Sequence, residues 1–191
     1  MMIPQKLVDK KQELVALIKA NSSYNPPPFE FIGTAPFAEA SIEKLVSFLE
    51  NKGIPAVFSI TDLPNFRQIP SHIKLQTMLA EGAHIFDAYE KKGSILVNRW
   101  TQRMTPTKTL LVLAHESAHA LWPFKFQTSG DVSIAEGIAY SVEWEIATML
   151  GVDATDTCAL GLAMYAVSDG LQELVQPKVV ELTKIIWDVI H

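Results

Sequence analysis

Only one cysteine, Cys158, occurs in the chain, which excludes an internal disulfide. No run of Lys or Arg exceeds two residues, and the formal net charge is −5 with a pI near 5.5. That balance offers no electrostatic footprint for a phosphate backbone, so nucleic acid is not an expected partner. No stretch of about 18 apolar residues occurs, so no membrane span is expected. Residues 1–20 spread their lysines and acids among apolar positions and gather no hydrophobic block. They read as a helix and not as a signal, and the expected location is cytoplasmic. Internal repeats are missing, and the only low-complexity tract is the triple proline at 26–28.

What is present suits a folded protein: 48% of the 191 residues are hydrophobic and 19% charged, which is enough apolar material for one core. A single domain is expected over 1–191, made of a helix and linker (1–25), an α/β part with the sheet (26–104) and a helical part (105–191). Leu7, Leu14, Leu17 and Ile18 recur at helical spacing before the linker at 21–28. An apolar segment at 29–32, a helix at 38–52 closed by Gly53 and a strand at 56–60 suggest the order strand, helix, strand. Ser71 is a candidate cap for a helix reaching about residue 80. Extended segments at 84–89 and 94–98 flank Lys91, Lys92 and Gly93, which suggests a β-hairpin. Beyond Thr105 the pattern is almost wholly helical. The expected class is α+β, a small mixed sheet packed on helices with a mostly helical C-terminal half.

Chemistry concentrates at His115, Glu116 and His119, a His-Glu-x-x-His pattern. Thr105 is a suitable N-cap, Pro106 suits the first helical position and Pro123 marks the far end, so the pattern sits on the last turns of a helix. Residues four apart share a helix face, so both imidazoles can address one point, where a single zinc ion fits. Glu116 stands about 100° round the helix, beside that point, which is the place for a general base. In a chain of this composition the pattern arises by chance with a frequency of about 0.01, so ordinary helix histidines are the weaker reading.

Catalytic zinc takes three protein ligands, keeps one position open and brings the pKa of its water to about 7. Glu136 is the leading third ligand, because the interval after His119 allows a loop through 124–130 and a return on a second helix. Against this, Ser133 and Glu136 also fit a capping box. Asp131 is a lesser candidate and looks like an N-cap. Glu143 shares a face with Glu136 and can support a ligating histidine through a hydrogen bond, although a solvated surface position is the favoured reading. Tyr140 and Tyr165 are candidate donors to an oxyanion, against a reading as core-edge tyrosines. His72 and His84 read as surface or strand residues, and Cys158 as a small buried hydrophobe.

With these residues the chain resembles the gluzincin branch of the zincin metallopeptidases, in which His-Glu-x-x-His supplies two ligands and a glutamate on a following helix the third. The stretch from Glu136 to Tyr140 is similar to that glutamate helix. The apolar run 93–98 ahead of the motif helix resembles compact members, the minigluzincins and ImmA/IrrE-type peptidases, whose edge strand pairs with an extended peptide. Ser117 departs from the apolar residue common at its position, and Tyr140 from an aspartate. The resemblance implies a zincin-like fold, Zn2+ as cofactor and a peptide or protein as substrate. Glu116 would activate water and later protonate the leaving amine. The alternative expectations are a catalytically inactive zincin-like regulatory or binding module with a structural metal, and a metal-free helical interaction domain.

Overall fold

Leu7 and Leu14 lie seven residues apart, close to two helical turns, and stack on one face. In the computed structural model they are the two leucines buried by α1 (Gln5–Ala20). Leu17, about 80° round from Leu7, is turned outward and is 41% exposed. The structure describes residues 5–21, 30–63, 66, 69, 71, 74, 79–87, 92–100, 102–122 and 129–191. Most of the expected linker, most of the helix expected at 71–80, His72 and Pro123 lie outside the described residues. Further elements are α2 (Ala38–Asn51), β1 (Ala56–Val57), β2 (Gly82–Asp87), β3 (Lys92–Val97), α3 (Pro106–Leu121), α4 (Ser129–Met149), α5 (Thr155–Met164) and α6 (Asp169–Ile190). The class is α+β and mostly helical, as the sequence pattern predicts. Among the described residues no helix is long and apolar enough to cross a membrane.

The chain divides into two compact units, the first comprising Met1–Ala35 and Phe124–Lys184. Within it α5 lies against both α1 and α4. Lys11 takes a core position on the buried stripe of α1 at 3% exposure. Its Nζ donates to the Val167 carbonyl at 3.1 Å and to the side chains of Asp169 and Gln172. A buried ammonium is tolerated because its donors meet acceptors, one of them ionised. The strand expected at 29–32 is not part of the sheet. Ile32 makes an isolated antiparallel bridge, its N–H donating to the Asp153 carbonyl at 3.0 Å and its carbonyl accepting from the Asp153 N–H at 2.8 Å. The Ile32 side chain is 71% exposed, and Gly33 follows at φ 116°, so neither burial nor backbone direction extends the strand.

Pro36–Pro123 and Ile185–His191 form the second unit. Ile42, Leu45 and Leu49 line the buried face of α2, and Gly53 at φ 76° closes the helix, its N–H donating to the Glu50 carbonyl at 2.8 Å. The sheet order is β1-β3-β2, with β3 parallel to β1 and antiparallel to β2. The strand expected over 56–60 stops after Val57. Ser59 then accepts from the Thr61 N–H at 3.4 Å and opens a 3-10 turn at Ile60–Asp62. That turn buries Ile60 against Leu63 and Leu96. The hairpin forms, but with a shifted boundary: Gly82 pairs with Val97 and Asp87 with Lys92. Lys92 and Gly93, expected in the turn, are strand residues. Successive residues face opposite sides of a strand. Ile85 and Leu96 thus meet the Ile60 cluster on one side, while Gly82, His84, Gly93, Ile95 and Val97 share the other, where α3 packs.

Candidate metal centre

Helix α3 begins as its caps predict. The Thr105 hydroxyl accepts from the Lys108 N–H at 3.2 Å, Pro106 is the first helical residue, and the Trp122 N–H donates to the Ala118 carbonyl at 3.2 Å at the far end. Every residue from Leu110 to Ala118 is buried, so this helix is enclosed on all sides and carries polar residues inward. His115 is 7% exposed and Glu116 6%, far from the environment of an ordinary surface pair. Ser117, also buried, donates to the Leu113 carbonyl at 2.6 Å. Its hydroxyl is satisfied within its own helix, which is how a serine fits this position.

The two imidazoles converge. His115 Nε2 and His119 Nε2 are 3.3 Å apart, with ring centroids at 5.0 Å and planes inclined by 70°. A tetrahedral zinc with Zn–N bonds of about 2.0–2.1 Å holds two donors roughly 3.3–3.4 Å apart, so the pair has the separation that one ion requires. Among the described residues, one ligand atom from each of His115, His119 and Glu136 lies within 4.8 Å of the others. Two imidazole nitrogens and a carboxylate oxygen are a donor set suited to zinc.

Helix α4 starts at Ser129, which overturns two alternative readings for this region. Ser133 is the fifth residue of the helix and not its cap, and its hydroxyl donates to the Tyr165 carbonyl at 2.7 Å. A capping box at Ser133 and Glu136 therefore does not form. Asp131 likewise lies inside the first turn and is not an N-cap. Glu143 is 3% exposed, so the solvated surface reading fails too; seven residues from Glu136, it is one of the inward positions of α4.

Tyr140 lies across Gly161 of α5, where a Cβ would collide with the phenol ring. Burial pushes its hydroxyl well above the usual tyrosine range, and the charges of Glu143 and Glu136, then Tyr165 and Cys158, act in the same direction. Tyr165 follows the end of α5 with its ring 6.1 Å from that of Tyr140, and is 39% exposed. Cys158 is fully buried, as the small-hydrophobe reading predicts, and burial raises its thiol.

Two residues beside the motif were not assigned to the site by sequence reasoning. Gly82 faces Glu116: a Cβ on it would stand 2.7 Å from Glu116 Oε1 and from Val112 Cγ1. The available signal was a glycine opening an apolar strand, a mark of close approach by another group. His84, two residues on, is half-buried; burial first and the charge of His119 second push its imidazole down to about 4. Its link to the motif depends on strand pairing and has no signature in spacing. The chain matches no family model, no curated protein and no solved structure.

Proposed function

We propose that the chain is a zinc-dependent peptidase of gluzincin type with a zincin-like fold. The observation that carries this reading is the grouping of ligand atoms from His115, His119 and Glu136 within 4.8 Å. On this reading those three residues hold the ion. Zinc held there supplies Lewis acidity, polarising a substrate carbonyl and acidifying a water.

Glu116 does the proton work. Its carboxylate takes a proton from the attacking water and returns it to the amine nitrogen as the C–N bond breaks. That carboxylate is buried at 6% exposure and lies against the open position of Gly82 on β2, which holds it in one place. The missing side chain of Gly82 leaves room for it. Gly82→Ala displaces either the Glu116 carboxylate or the strand, since an approach under 3 Å cannot persist. A misplacement on the order of 1 Å costs about 100-fold in rate. Turnover by Gly82→Ala is expected to fall by that factor with zinc content unchanged, which kcat and metal analysis check together.

The reading itself is tested on protein purified without added zinc. About one zinc per chain is expected, together with cleavage of a quenched-fluorescence peptide library. A chain free of metal, or a zinc-loaded chain that cleaves no library member, overturns it.

A further inference from the structure

The face of β2 that meets α3 carries two chemically distinct positions. Gly82 is open, and the Glu116 carboxylate lies against it. His84 is the next residue on the same face, about 6.8 Å further along the strand. On the helix, His119 lies three residues, roughly 4.5 Å, beyond Glu116. Glu81 accepts from Lys108 near the start of the helix and Gly82 faces Val112 and Glu116, so the strand runs along the helix in the same sense and brings His84 to the His119 end of the motif.

Space for the ring is made by a second glycine. A Cβ at Gly93, on the neighbouring strand and the same face, would collide with His84 Nε2. The imidazole is thus seated over bare backbone. Among the described residues the group able to hold a metal comprises His115, His119 and Glu136. His84 is not a member of that group. An imidazole carries an N–H donor in either of its protonation states.

We infer that His84 is a catalytic hydrogen-bond donor, its N–H directed at the carbonyl oxygen of the scissile peptide as that oxygen becomes an oxyanion. The inference rests on the peptidase reading above. In the step concerned the water oxygen bonds to the carbonyl carbon and the carbonyl π pair moves onto its oxygen. The water proton passes to Glu116, while the imidazole proton is shared and not transferred. A donor placed beforehand in a site shielded from water stabilises this charge more than the neutral ground state.

The test uses the zinc-loaded full chain and the best-cleaved peptide of a fluorescence library. His84→Phe fills similar space without an N–H, and kcat is expected to fall about 100- to 1000-fold with KM within about threefold. His84→Gln, which keeps an N–H, should recover at least tenfold of that loss. Independent of turnover, the affinity of a phosphinic analogue of the same peptide should drop about 100-fold in calorimetry, with zinc stoichiometry unchanged. If His84→Phe does not fold, His84→Ala with imidazole in the medium replaces it, and restored turnover supports the donor role. Unchanged kcat in these variants, or loss of zinc along with activity, overturns the inference while leaving the peptidase reading intact. Wild-type protein that cleaves no peptide overturns both.

Discussion

Glu116→Gln is expected to lower peptide turnover by about 100- to 10,000-fold, the range for removing a positioned general base. This corresponds to roughly 3–5 kcal/mol of activation barrier. The substitution nearly preserves volume, so the buried position at 6% exposure and the close approach of Gly82 are both retained. What changes is the ability to accept a proton, because a carboxamide oxygen is a far weaker base than a carboxylate. His115 and His119 keep their geometry in this variant, so about one zinc per chain should still bind. Steady-state kinetics with parallel metal analysis make the measurement. Turnover within threefold of wild type would remove Glu116 from the chemistry; zinc lost together with activity would assign it to holding the centre.

Stripping the metal should produce the other large effect. Ligand that binds the native state alone stabilises it by about 4 kcal/mol when its free concentration is 1000 times Kd. For a chain of this size that is about 8–16 °C in Tm. Chelation is expected to lower Tm by this amount and abolish cleavage, with both restored by stoichiometric zinc. The imidazole nitrogens 3.3 Å apart supply the reason: without a cation they share a single N–H···N hydrogen bond, which contributes less than two bonds to a metal would. His115→Ala should melt like the chelated wild type and respond no further to chelator. A Tm and a turnover both indifferent to chelation would exclude a metal role for this pair.

The motif helix was readable residue by residue. Thr105, Pro106 and the four-residue spacing of His115 and His119 act through local geometry, which a helix imposes wherever it forms. The end of α2 at Gly53 was legible for the same reason, since a glycine readily adopts the left-handed φ of 76° found there. Hairpin existence was legible from two extended segments on either side of Lys91, Lys92 and Gly93, but its register was not. Lys92 and Gly93 look like turn residues in sequence and become strand residues because pairing with β2 extends to Asp87 and Lys92. The short length of β1 escaped for a related reason, the Ser59 hydroxyl offering the backbone a turn where the apolar pattern alone suggests a strand.

By itself the sequence determined the α+β class, the caps of α3 and the pair of histidines on one helical face, because each follows from contacts within a few residues. Tertiary structure alone decided that α4 begins ahead of Ser133, that Glu143 is buried, and that Gly82 lies against Glu116. Those outcomes depend on which strand face an enclosed helix covers and on how closely backbone approaches side chain. Neither quantity is carried by the order of residues until distant segments pack.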